Sequence, residues 1–232
     1  MKMEFWAGLI ELILINIVLS GDNAVVVALA CRKLPAQQQK KAVLWGSIGA
    51  IVLRVLLTFA AVWLLHIPYV QLAGALMLLY IAVTLLKKDD GEDHVEAGNK
   101  LSDAIRTIVV ADLVMSLDNV LAMAGAAQGN LLLIIIGLLI TIPLIVVASN
   151  VLMRIMERYP VIVMIGSAVL GYTAGEMVLS DKGVGNRMEG LLPAADLVIP
   201  IALALLVVIA GWLMNKWQSR HGNARGMERK AG

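Results

Sequence analysis

Apolar residues in this chain do not alternate with polar ones; they run almost unbroken for about twenty positions at a time, and most of the charge sits in the connections between runs. A helix that crosses a bilayer core needs about 20 such residues. Seven runs approach or exceed that length, at residues 5–30, 41–65, 69–86, 103–127, 131–150, 160–180 and 194–217. The pattern predicts an all-α integral membrane protein with seven transmembrane helices. The first run holds Glu11, Asn16 and Asp22 and lacks a cationic start and a small-residue cleavage site, so it reads as a retained helix and not a signal peptide.

Polar positions inside the runs recur in register. Asn16, Ser20, Asp22 and Asn23 in the first run stand at a constant offset of 96 from Asp112, Ser116, Asp118 and Asn119 in the fourth. In the third and sixth runs Gly74, Leu78, Tyr80, Ala82 and Thr84 match Gly166, Leu170, Tyr172, Ala174 and Glu176 at an offset of 92, and the middle pair matches chiefly at Gly46 and Gly137. Such self-similarity marks an internal repeat. Because each copy has three spans, an odd number, the second must cross the membrane in the opposite sense, the inverted-repeat arrangement that places ligand sites near the midplane. The predicted organisation is a first three-helix repeat (1–86), an acidic cytoplasmic linker (87–102), a second repeat (103–180), an outer loop with a seventh helix that has no counterpart (181–217), and a basic cytoplasmic tail (218–232).

Composition settles the environment. Hydrophobic residues make up 60% and charged residues 16%, with a mean hydropathy of +0.85, whereas a soluble domain is roughly half apolar and about a quarter charged. Charge adds orientation: with the N-terminus outside and the C-terminus cytoplasmic, fourteen Lys and Arg residues fall on the cytoplasmic side and only Lys2, Lys182 and Arg187 outside. The basic tail follows a span directly and belongs to that bias, so no nucleic-acid partner is expected.

Well inside the spans stand Glu11, Asp22, Arg54, Asp112, Asp118 and Glu176, while Asp103, Arg106 and Asp196 lie near span ends. A carboxylate at a helix centre costs about 2.5–3.5 kcal/mol on insertion scales, which makes function the default explanation. Five acids against one arginine leave a negative site that protons or a cation must complete. Its donors, carboxylates with Asn carbonyls and Ser hydroxyls, suit hard divalent ions such as Mn²⁺, Mg²⁺ or Ca²⁺. His66, His94 and His221 lie outside the spans and Cys31 at a helix end, so zinc and copper are disfavoured, no disulfide is implied, and no resident cofactor is expected.

Helical spacing puts Asn16, Ser20 and Asn23 on one face and Asp112, Ser116 and Asn119 on another, with Asp22 and Asp118 about 120° away from the head of each set. A local break at Gly21, and less strongly at Leu117, would let all four groups of a copy serve one ion; an unbroken helix would give one face to the ion and the other to interhelical bonds. The pattern leaves both open. Arg54 follows a stripe of small residues, Ala42, Gly46 and Ala50, that predicts close helix packing, and it is expected to pair with a site carboxylate as a fixed counter-charge. Ser167, Gly171 and Gly175 form a similar stripe beside Glu176. Met115 reads as apolar filling ahead of a thioether ligand.

With these residues in view the chain resembles the TerC family of bacterial membrane proteins, in particular its short, manganese-riboswitch-associated branch. The resemblance rests on Leu19-Ser20-Gly21-Asp22-Asn23-Ala24-Val25, on Asp112-Leu113-Val114-Met115-Ser116-Leu117-Asp118-Asn119-Val120, and on Ala174-Gly175-Glu176-Met177. It implies Mn²⁺ efflux across the bacterial inner or plasma membrane, with Asp22, Asn23, Asp112, Asp118, Asn119 and Glu176 as metal ligands and Glu11 and Asn16 beside them. Asp22 and Asp118 are expected to reach a shared ion from opposite halves. Partners would be the divalent ion and the lipid bilayer, with a homo-oligomer and contacts to secretion machinery or secreted metalloproteins left open. Two other classes compete with a non-enzymatic transporter: an intramembrane aspartyl hydrolase, disfavoured by the surplus of acids and the Asn beside each Asp, and a membrane assembly or metal-delivery partner.

Overall fold

The structure is a computed structural model, described over residues 21–64, 67–86, 97–126, 131–185 and 194–231. Glu11, Asn16 and the linker up to residue 96 lie outside the described residues. The described chain forms seven helices: α1 Gly21–Cys31, α2 Ala36–Leu64, α3 Val70–Leu86, α4 Ala97–Ala126, α5 Leu131–Arg158, α6 Val161–Ser180 and α7 Ala195–Ala231. Among them four are long and apolar enough to cross a membrane, through Ala36–Thr58, Leu138–Arg158, Val161–Ser180 and Ala195–Met214. Each predicted apolar run thus has a helix in it, and the protein is an α-helical, multi-pass membrane protein.

The helices overrun the apolar stretches that announce them. α2 starts at Ala36, before the run at 41, because Pro35 opens it: the amides of Gln38 and Gln39 donate to Pro35 O at 2.8 and 2.9 Å. α4 starts at Ala97, α5 continues to Arg158 and α7 continues through the basic stretch to Ala231. Hydropathy reports where a helix meets lipid, whereas backbone hydrogen bonding carries it on into water.

α2 packs along α4, α3 along α6, and α6 along α7, while α1 lies against α5, α4 and α6. The two small-residue stripes sit at these contacts. A Cβ on Gly46 would lie 2.7 Å from Ile108 Cδ1 on α4, and one on Gly171 would lie 2.8 Å from Leu203 O on α7, so glycine is what lets the helices approach. On α5, Leu138, Thr141, Ile145, Ser149, Met153 and Met156 form a buried stripe at helical spacing, with Leu139, Leu144, Val147 and Val151 exposed behind it. α7 exposes Leu197, Ile201, Leu205, Ile209 and Leu213. Apolar surface of this extent is the face a bilayer covers.

One carboxylate ties two helix ends together. Asp181, at the end of α6, is buried and accepts hydrogen bonds from the amides of Tyr69 (3.2 Å), Leu72 (3.1 Å) and Gly183 (2.8 Å). It therefore caps the start of α3 from another element.

Candidate cation site

The buried face of α2 reads Val43, Ser47, Ala50, Arg54 and Leu57, and that of α4 reads Ala104, Ile108, Ala111, Asp112, Met115 and Ser116. The close approach at Gly46 and Ile108 brings these faces together, and one to two turns further along each helix the polar residues meet. Arg54 Nη2 forms an ion pair with Asp112 Oδ1, Arg54 Nε donates to Ser116 Oγ at 2.9 Å, and Ser116 Oγ donates to Asp112 Oδ2 at 3.1 Å. The three side chains close a ring. Arg54 is 2% exposed and Asp112 7%, so each charge is removed from water and depends on the other.

The ring borders a cavity of about 20 Å³ lined by four of the described helices: Asn23, Val26 and Val27 from α1, Ser47, Ala50, Ile51 and Arg54 from α2, Ile108 and Asp112 from α4, and Thr141 and Ile145 from α5. That is room for about one water-sized species. Thr141 Oγ1 donates to Leu138 O at 2.7 Å. Ser47 Oγ is buried and has no hydrogen-bond partner among the described residues. Ala50 and Arg54 stand to Thr141 and Ile145 at an offset of 91, the same one that relates Gly46 to Gly137. Residues at that offset therefore line one cavity.

Of the residues singled out from sequence, the cavity gathers Asn23, Asp112 and Arg54. Asp22 is half-buried and does not line it; its Oδ1 accepts from the Asn23 amide at 2.8 Å. α4 runs unbroken through Leu117, so the register keeps Asp118 about 120° from Asp112; the Asp118 side chain lies outside the description. Asn119 is partly exposed and Glu176 is exposed on α6; neither lines the cavity. Met115 is buried in the apolar core, as filling requires. Among the described residues no three His, Cys, Asp or Glu side chains come together. The described charge at the cavity is thus one carboxylate and one guanidinium, surrounded by neutral oxygens. Sequence reasoning passed over Ser47 and Thr141. The signal was there in part, since Ser47 lies two turns before Arg54 on the same face.

A sequence profile described as the integral membrane protein TerC family matches residues 1–221. The chain is similar to the uncharacterized membrane protein YjbE of Bacillus subtilis (strain 168), 40% identical over 215 residues that cover 90% of this chain and 97% of that one. It is also similar to two Escherichia coli (strain K12) proteins. UPF0053 protein YegH is 31% identical over 182 residues, covering 70% of this chain and 34% of YegH. UPF0053 inner membrane protein YoaE is 28% identical over 185 residues, covering 71% of this chain and 36% of YoaE. The chain therefore spans nearly all of the first relative and about a third of the other two. No solved structure matches it.

Proposed function

We propose, from the premise that this chain belongs to the TerC family of integral membrane proteins, that it transports a divalent cation, Mn²⁺, out of the cytoplasm through the cavity between α1, α2, α4 and α5. The observation that carries this reading is the buried Arg54–Asp112–Ser116 ring at the cavity wall. A carboxylate held by a guanidinium in a buried site can exchange one cation for another without ever being left bare. Arriving metal takes Asp112 from Arg54, and its departure lets Arg54 return, which keeps the energy of the two conditions close, as a carrier needs. Oxygen donors favour Mn²⁺, Mg²⁺ and Ca²⁺ over softer ions.

Neighbour relations among the helices support a site shared by two halves. Exchanging α1 with α4, α2 with α5 and α3 with α6 turns the α1–α5 contact into α4–α2 and the α1–α6 contact into α4–α3, and all four contacts are present. Efflux is the direction that the family resemblance implies, the charge bias of the connections favours a cytoplasmic C-terminus, and the inner membrane follows the relative that carries that name. An aspartyl dyad would need a second carboxylate on Asp112, whose oxygens are instead engaged by Arg54 and Ser116. The test is ion flux in proteoliposomes, with Mn²⁺, Mg²⁺, Ca²⁺ and a proton gradient varied separately. Mn²⁺ flux that Asp112→Asn abolishes is expected; a correctly inserted protein that moves none of the three ions sinks the proposal.

A further inference from the structure

We infer that the hydroxyls of Ser47 on α2 and Thr141 on α5 are the neutral oxygen ligands of the transported ion, seating it opposite Asp112 and setting which ion is accepted. The inference rests on the reading that this cavity binds a divalent cation. Three observations carry it. First, both residues line the cavity and both are buried, at 2% and 1% exposure. Second, their hydroxyls are in complementary conditions. Thr141 Oγ1 has committed its proton to Leu138 O at 2.7 Å, so only lone pairs remain for whatever occupies the cavity. Ser47 Oγ is a buried polar atom with no hydrogen-bond partner among the described residues. Burying such a group without a partner is costly, and it is the kind of atom that a ligand satisfies. Third, the cavity, about 20 Å³, admits about one water-sized species.

That last point decides the chemistry. An ion cannot enter so small a space with its hydration shell, so fixed protein oxygens must replace the water it loses. Asp112 supplies the charge; hydroxyl oxygens from two further helices supply coordination without adding charge, as a Ser or Thr hydroxyl does for Mg²⁺ in phosphate-binding loops. Mg²⁺ dehydrates reluctantly and usually keeps several waters. A nearly dry seat therefore works against it and leaves Mn²⁺ favoured, although the donor atoms alone do not distinguish the two. Coordination from α2 and α5 would also place one hydroxyl ligand in each half, with Thr141 at an offset of 91 from Ala50 and Ser47 one turn before Ala50.

The test is thermal unfolding of the purified full chain in detergent, titrated with Mn²⁺, Mg²⁺ and Cd²⁺. Ser47→Ala and Thr141→Val each remove one hydroxyl and leave packing nearly unchanged. Each should weaken Mn²⁺ stabilisation by about tenfold or more, the scale on which changes around a metal site act. Without metal, Ser47→Ala should melt no lower than the parent chain, because it gives up no hydrogen bond to a described residue. Ser47→Cys, which offers a softer donor, should shift preference from Mn²⁺ towards Cd²⁺. If Mn²⁺ stabilises the parent chain and all three variants with the same affinity and ion order, the ligand assignment falls and the transport reading stands. If only one of the two hydroxyls matters, the two-ligand seat is wrong. A parent chain that no divalent ion stabilises and that shows no flux overturns both.

Discussion

Arg54 decides what the site is when considered residue by residue. Arginine inside an apolar helix is expensive, and the ring it forms with Asp112 and Ser116 shows where that cost is met. Arg54→Ala removes one partner of a buried pair, which typically costs about 3–5 kcal/mol because the other charge is stranded. The variant should melt markedly lower and lose flux. Arg54→Lys keeps the charge but not the planar fork that reaches Asp112 and Ser116 together, so intermediate stability with reduced transport is expected. The double replacement Arg54→Met with Asp112→Leu tests the pair against mere packing: stability should return, since apolar pairs of similar volume often match or exceed a buried ion pair, while Mn²⁺ stabilisation and flux stay absent. An Arg54→Ala variant that melts and transports normally would refute the role. Arg54, Asp112 and Asn23 were legible in the sequence because each is conspicuous in an apolar run. Ser47 and Thr141 were not. A hydroxyl can satisfy itself on its own helix, as Thr141 does on Leu138 O, so it enters a membrane helix cheaply and leaves a weak signal.

Helices bring these residues within reach, and the α2–α4 contact does most of it. A methyl group on Gly46 would meet Ile108 Cδ1 at 2.7 Å and its Cγ2 at 3.0 Å, so Gly46→Ala must push the helices apart or displace Ile108. Overpacking of this kind costs about 1–3 kcal/mol. Gly46→Ala should therefore lower both the melting temperature and the Mn²⁺ response, and adding Ile108→Ala should restore a good part of each, because the obstructing atoms belong to that side chain. Failure of the second change to rescue the first would mean the Arg54–Asp112 pair does not depend on this approach. The small-residue stripe on α2 was readable as a packing face, and so was the existence of every helix. Their ends were not, because Gln38 and Gln39 extend a helix as well as leucines do once Pro35 has opened it. Nor was the continuity of α4 through Leu117: the motif left a break open there, less strongly than at Gly21, and leucine at that position favours an unbroken helix.

For the molecule as a whole, the proposed transport would require one small cavity to serve two sides of a membrane. The cavity takes Asn23 and Asp112 but not Asp22, although Asp22 and Asp118 are the carboxylates that the sequence pattern pairs at an offset of 96. On a continuous helix a residue one position away is turned by about 100°, so Asp22 and Asn23 address different neighbours. If the seat lies at Asp112, the equivalent pair Asp22 and Asp118 belongs to the approaches, one from each half, where a charge draws the cation in and hands it on. Binding and movement then separate experimentally. Asp112→Asn should abolish both Mn²⁺ stabilisation and Mn²⁺ flux. Asp22→Asn and Asp118→Asn keep size and one carbonyl oxygen; each should insert, remain stabilised by Mn²⁺, and lose most flux. Thermal shift in detergent and flux in proteoliposomes, measured on the same preparations, distinguish the outcomes. Loss of Mn²⁺ stabilisation in Asp22→Asn or Asp118→Asn would move that carboxylate into the seat itself, as a ligand shared across the halves. Normal flux in either variant would remove it from the transport path, and with it the functional equivalence that the repeat implies.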